Sequence, residues 1–344
     1  MSVVNKEKAA EKMNERRLGV TDISLSEIGL GTWPLGGPVQ VGNETIGRGQ
    51  ISECDAIATV EAARDSNIKF FDTADIYGLG QAEMVLGKVF AGHWNETIVA
   101  SKVGKVVTSK GSLGVCYSGD HIRRALEGSL RRLRKDCVDI YLLHNPPPEI
   151  ASKGESIESL ATLQQEGKIR CWGVSARLVK EAVTMIMDGF QGAVMEIVFN
   201  LLRQEATTTL FPLARKAGIG ILVRVPLEYG VLTGRFTKDT TFPLDDHRHD
   251  NLEPRLAAEL QRATALRFLL PGSQDNMALA AIRFCLAYPD VTSVITGAKN
   301  ASQIRVNAIA SDLGPLPRID VERAERLFAD HFNTMGIAIG DLDT

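Results

Sequence analysis

Short apolar, β-branched runs recur along the chain, separated by longer amphipathic segments. Eight runs read as strands: 28–32, 68–72, 97–101, 138–143, 169–175, 193–199, 220–225 and 291–295. Between them the spacing predicts helices over 52–66, 81–90, 119–133, 156–166, 177–188, 207–216 and 300–309. Strands that alternate with helices imply parallel pairing through right-handed crossovers. Several of these strands are nearly all apolar, the pattern of a sheet covered on both faces. Eight β–α steps predict an α/β fold of the (β/α)8 TIM-barrel class rather than an open sheet.

One stretch breaks the rhythm. About 65 residues separate Val225 from Val291 and carry one strong late helical pattern over 274–287, so a long insertion follows strand seven. Its segment 236–250 is polar and holds Asp245, Asp246, His247, Arg248, His249 and Asp250. Such a loop either orders over a bound molecule or lies solvated on the surface. A final helical pattern over 320–332 is expected outside the barrel. The reading is a single domain over 18–335, with a polar arm over 1–17 and a tail over 336–344.

Composition narrows the function. The formal charge is -3, without the basic surplus of a nucleic-acid binder. No apolar run approaches the ~20 residues that span a bilayer, so no membrane partner is expected. The N-terminus lacks a signal-peptide apolar core, and Glu7, Glu11 and Glu15 argue against a transit peptide. The 5 cysteines are scattered without a CxxC, which indicates neither zinc nor a disulfide framework. A soluble, cytoplasmic protein that needs no metal is the expectation. Oligomeric state is not legible.

In such a barrel the chemistry sits where the strands end. Strand two runs into Asp72-Thr-Ala-Asp-Ile-Tyr77-Gly78, strand three into Lys102, and strand four into His144. Singly, each has a structural explanation: a helix cap, a packing ring, a snorkelling lysine, a hydrogen-bonding histidine. Three successive apolar strands that all end in ionisable groups favour a site, because such groups are costly in a barrel mouth unless they pair. The quartet makes chemical sense. A phenol titrates near ~10, and a close ammonium favours its ionised form. Lys102 is therefore expected to lower the Tyr77 pKa, Asp72 to hold the ammonium, and His144 to orient a carbonyl oxygen. Together they form a proton donor to an alkoxide developing at a carbonyl carbon. The accompanying hydride has no side-chain source, which implies a nicotinamide cofactor.

The sequence resembles the aldo-keto reductases in Gly29–Trp33, 71–78, 100–102, 139–144, 173–175, 200–202, Pro226-Leu227, 232–234 and 297–299. These stretches run in family order. The resemblance implies a (β/α)8 barrel that binds NADP(H) without a strand–GxGxxG–helix motif, which is absent here. It implies a catalytic tetrad of Asp72, Tyr77 as general acid, Lys102 and His144. It places Thr32, Trp33, Ser175, Glu196 and Arg224 around the cofactor, with Pro226, Leu227, Gly234 and Arg235 along its pyrophosphate. Gly297, Lys299, Gln303 and Asn307 match the turn and helix at the adenosine end, with Lys299 on the 2′-phosphate. Four positions depart from the common pattern. Ala176 replaces an Asn, Glu196 stands where a Gln is common, Arg224 stands where many members place an aromatic, and Val306 replaces an acidic residue.

The leading expectation is an NADPH-dependent carbonyl reductase acting on a small-molecule aldehyde or ketone. Aromatic residues are only 6% of the chain, which points toward a sugar, keto-sugar or small aldehyde. The alternatives are a redox-sensing regulatory barrel, as in potassium-channel β-subunits, and a Schiff-base aldolase with Lys102 as nucleophile.

Overall fold

The computed structural model describes residues 13–42 and 44–332. Eight parallel strands close into a barrel: β1 Ile28–Gly31, β2 Phe70–Asp72, β3 Ile98–Val103, β4 Val138–His144, β5 Ile169–Ser175, β6 Val194–Val198, β7 Gly220–Arg224 and β8 Val291–Gly297. Each pairs with the next, and β8 returns to β1 with Val294 opposite Ile28 and Gly297 opposite Gly31. The helices between them are α1 Glu53–Asp65, α2 Gln81–Phe90, α3 Gly119–Leu133, α4 Glu155–Gln165, α5 Val179–Met187, α6 Leu210–Ala217 and α7 Met277–Leu286, with α8 Ala301–Leu313 after β8. All eight expected strands are present, and β3 and β4 extend far enough to include Lys102 and His144.

Side chains alternate along a strand, so residues two apart share a face. Phe70, Ala100, Ile140, Leu142, Cys171, Val194, Leu222 and Ile295 pack together inside the barrel. Gly29 leaves room for the Phe70 ring, which a Cβ there would approach to 2.6 Å. The opposite strand faces pack against the helices in a second, larger apolar cluster.

The floor is a hairpin. Glu15–Arg17 pairs antiparallel with Ser24–Ser26, and Leu18, Ile23 and Leu25 join the inner cluster. The Arg16 guanidinium donates to the carbonyls of Leu286, Tyr288 and Val291 and to Glu27. Residues 13–17, assigned from sequence to a polar arm, are therefore part of the fold. Long-range pairing, not composition, decides that. Residues 1–12, the end of the expected domain at 333–335 and the tail at 336–344 lie outside the described residues.

The insertion after β7 contains a tight turn at Glu228–Thr233, a short helix at Arg248–Asn251 and a helix at Leu256–Ala265 before α7. Two hairpins interrupt the other loops: Val39–Val41 with Glu44–Ile46, and Lys105–Val107 with Leu113–Val115. The last helix, Arg318–Leu327, packs outside the barrel, where Tyr288 donates to Glu325 at 2.7 Å. Among the described residues no helix is long and apolar enough to cross a membrane.

Candidate active site

Stepping two residues along from the inner cluster gives the site. Phe70 leads to Asp72, Ala100 to Lys102, Leu142 to His144, Val194 to Glu196 and Leu222 to Arg224. The register carries this around the barrel: Asp72 sits opposite Ala100, Lys102 opposite Leu142, His144 opposite Ser175 and Ser175 opposite Glu196. The apolar interior thus ends in one polar layer at the strand C-termini.

Lys102 is the centre of that layer and is 0% exposed. Its Nζ donates to Asp72 Oδ1 at 2.5 Å, to the Thr73 carbonyl at 3.1 Å and to the Tyr77 hydroxyl at 3.4 Å. A second carboxylate oxygen, Glu196 Oε2, lies 3.4 Å away. Burial works against the ammonium, but Asp72, Glu196 and Tyr77 outweigh it and hold Lys102 above its ordinary range. A lysine kept charged is a poor Schiff-base nucleophile, which weakens the aldolase reading. Burial and then Glu196 push the Asp72 carboxyl well above the usual range, against the pull of Lys102.

Tyr77 follows β2 on a turn that requires glycine. Gly78 has φ 60°, and a Cβ there would collide with the Gly36 carbonyl oxygen. This close approach fixes the phenol beside Lys102. Burial raises the phenol above its ordinary range; Lys102 pulls it down, and Asp72 and Glu196 push it up again. The lowering expected from Lys102 is present but outweighed, so Tyr77 stays protonated. The His144 ring meets the Tyr77 ring edge-on at 6.0 Å, and the Tyr117 hydroxyl donates to the His144 carbonyl at 2.8 Å. Burial, then Lys105, Lys102 and Arg224, hold the imidazole well below its ordinary pKa. It is neutral and has an N–H to donate.

A cavity of about 1300 Å³ runs from Tyr77 and His144 to Lys299, Gln303 and Asn307. Of the 13 positions expected to contact a cofactor, 12 line it. The exception is Thr32, which is 0% exposed; its amide and hydroxyl both donate to the Asp72 carbonyl, so it braces the end of β2. Gln303 lines the cavity, but its Oε1 accepts the Lys299 N–H at 2.9 Å, so it also caps the start of α8. At the inner end Ser175 Oγ donates to Glu196 Oε1 at 2.9 Å, and Arg224 Nη2 donates to the Ala176 carbonyl at 3.1 Å. Glu196 Oε2 and Arg224 Nε are buried without a hydrogen-bond partner. Arg235 and Lys299 supply positive charge farther out. Polar partners at one end and cations along a trench suit an extended nicotinamide dinucleotide.

Several contacts at the mouth carried no readable sequence signal. The segment Leu244–His247 crosses the mouth and docks on residues 45–50: Thr45 Oγ1 donates to the Leu244 carbonyl, His247 N to the Gly47 carbonyl, and Gln50 Nε2 to Asp245 Oδ2. Arg48 donates to the Tyr229 carbonyl at 3.1 Å, and the His247 ring packs edge-on against Trp33 at 5.0 Å. The polar loop is therefore a strap over the mouth, not a free surface loop. Beneath it, buried Glu228 accepts from Asn200, Arg203 and Arg255. It ties down a turn whose Val225, Glu228 and Tyr229 all have positive φ.

The same barrel recurs in proteins of known type. A model of the Aldo/keto reductase family matches residues 27–328. A probable voltage-gated potassium channel subunit beta from Oryza sativa subsp. japonica is 30% identical over 323 residues, covering 88% of this chain and 93% of the relative. The NADH-specific methylglyoxal reductase of Escherichia coli (strain K12) is 29% identical over 319 residues, covering 88% and 94%. The structure of a glycerol dehydrogenase from Gluconobacter oxydans superposes with a TM-score of 0.75 at 27% identity, covering 92% and 95%. With the family's model spanning nearly the whole barrel, and the lysine-centred layer where that barrel keeps its chemistry, the chain belongs to the aldo/keto reductase family.

Proposed function

We propose that this protein is an NADPH-dependent carbonyl reductase that works in the cytoplasm on a small aldehyde, sugar or keto-sugar. The observation that carries this reading is the Tyr77–Lys102–Asp72 network, opening beside neutral His144 onto the long trench. A nicotinamide cofactor, when bound, supplies the hydride. The protein's part is the proton and the geometry. Tyr77 Oη gives its proton to the carbonyl oxygen as that oxygen gains charge. Lys102 stabilises the phenolate left behind, and Asp72 keeps the ammonium charged and aimed. His144 donates its N–H to the same oxygen and fixes its position. Trp33, His247 and the strap shield the mouth from water.

Two features support the finer parts of the reading. Lys299 and Arg235 favour a cofactor with the additional 2′-phosphate. The mouth mixes Trp33, Ile76 and Leu113 with Glu44, Lys105, Asn145 and Arg224, a lining suited to a small polyhydroxylated substrate. The likeness to a channel β-subunit favours a second reading, a redox-sensing barrel with little turnover. The test is NADPH and NADH consumption against a panel of aldehydes, ketones and sugars. Multiple turnovers with NADPH, and slower ones with NADH, are expected. Tight NADPH binding with no turnover on any class would favour the sensor. A preference for NADH would contradict the NADPH assignment.

A further inference from the structure

Glu196 does more than line the cofactor trench. Its Oε1 accepts from Ser175, while its Oε2 lies 3.4 Å from the Lys102 ammonium and has no hydrogen-bond donor. Asp72 holds the same ammonium from the other side at 2.5 Å. Two carboxyl groups therefore flank one cation in a chamber where the Lys102, Asp72 and Glu196 side chains are 0%, 5% and 1% exposed. A glutamine here would leave Asp72 as the sole carboxylate on Lys102.

We propose that Glu196 is a positioning residue that acts on Tyr77 through Lys102. It draws the ammonium toward β6, offsets its charge, and keeps the phenol a proton donor to higher pH than Asp72 and Lys102 alone would allow. The charged and titratable groups around the phenol bear this out in sign. Lys102 and Lys105 come from β3 and its hairpin, Arg224 from β7, and His144, neutral, from β4. Asp72 from β2 and Glu196 from β6 oppose Lys102 and Arg224 at the phenol, and Glu44 at the mouth opposes Lys105; β1 and β8 contribute no ionisable residue. Arg224 Nε is 3.9 Å from Glu196 Oε1, and its Nη2 is committed to the Ala176 carbonyl, so Lys102 is the nearer cation. Loss of the Glu196 charge frees Lys102 to stabilise the phenolate.

The proposal rests on Tyr77 as the acid, and its test has an arm that needs no turnover. Glu196→Gln conserves shape while removing charge. In the reduction direction the alkaline limb of kcat/KM is expected to move to lower pH by at least one unit, a tenfold change in the apparent ionisation constant. Alcohol oxidation, which uses the phenolate as base, is expected to begin at correspondingly lower pH. Glu196→Asp keeps the charge and should restore most of the wild-type profile. Independently, the tyrosinate absorbance that disappears in Tyr77→Phe should develop at lower pH in the Glu196→Gln background, with circular dichroism confirming the fold. An unchanged Tyr77 signal and unmoved pH limbs, with only kcat or cofactor affinity reduced, would make Glu196 a seat for the cofactor and overturn the proposal. If no carbonyl substrate turns over at all, the reductase reading fails, and the absorbance arm still decides the role of Glu196.

Discussion

At the scale of the residue, the site depends on how one buried ammonium is shared. Lys102→Met leaves Asp72 and Glu196 without their cation and the phenolate without its stabiliser, so kcat/KM should fall by ~10²–10⁴. Asp72→Asn should cost less, on the order of tenfold, because Glu196 still holds Lys102. In the double variant the losses should be strongly non-additive, and simple addition would show that the two act independently. A different carboxyl group ties stability to pH. Burial, reinforced by Glu83, raises Asp75 to about 7 despite Arg132, and its Oδ1 is buried without a partner. The folded protein thus binds this proton more tightly than the unfolded chain. Stability falls as pH rises from about 4 to about 7 and stays lower above that. Asp75→Asn should remove that slope and stabilise the protein at pH 8 by on the order of 2–4 kcal/mol; urea unfolding at pH 5 and pH 8 measures it. Asp72, Tyr77, Lys102 and His144 were legible in the sequence because each ends or follows an apolar strand. The ionic role of Glu196 was not, because it depends on how β3 and β6 are placed around the barrel.

At the scale of the element, the eight strands and most of their helices follow from apolar periodicity, since each buries one or both faces. The loops do not. The hairpins at 39–46 and 105–115 have no apolar face long enough to read, and the helix Leu256–Ala265 lies in a stretch with no strong pattern. The strap is set by contacts between segments far apart in sequence, of which the isolated bridge between Arg48 and Asp246 is one. The start of α8 is locally determined. Asn300 caps it by accepting from Gln303 N, and Gln303 returns to Lys299 N. Those caps involve only the Lys299 backbone, which leaves its side chain for a ligand. Lys299→Ala should weaken NADPH by about tenfold in Kd, the low end for a partly exposed charge-assisted contact, and spare NADH. The NADPH preference should also fade as salt rises. Fluorescence titration of both cofactors decides; equal losses would make Lys299 a support for the helix rather than a phosphate ligand.

At the scale of the whole molecule, the barrel separates rigidity from chemistry. Its floor is closed by the Leu18, Ile23 and Leu25 plug and by Arg16, which fastens the hairpin to three carbonyls. Its mouth carries the polar layer under a strap, and the trench connects that layer to α8. The family resemblance and the grouping of Asp72, Tyr77, Lys102 and His144 could be read from short motifs because strand ends converge in any such barrel. The substrate could not, because the hairpins and the strap that shape the mouth are long-range structures. The central claim is that Tyr77 donates the proton in carbonyl reduction. The direct test is NADPH oxidation by an active aldehyde in wild type and Tyr77→Phe, with NADPH affinity measured on the same preparations. Loss of the phenol oxygen should leave NADPH binding intact and lower kcat by ~10²–10⁴. Near-wild-type kcat in Tyr77→Phe would contradict it.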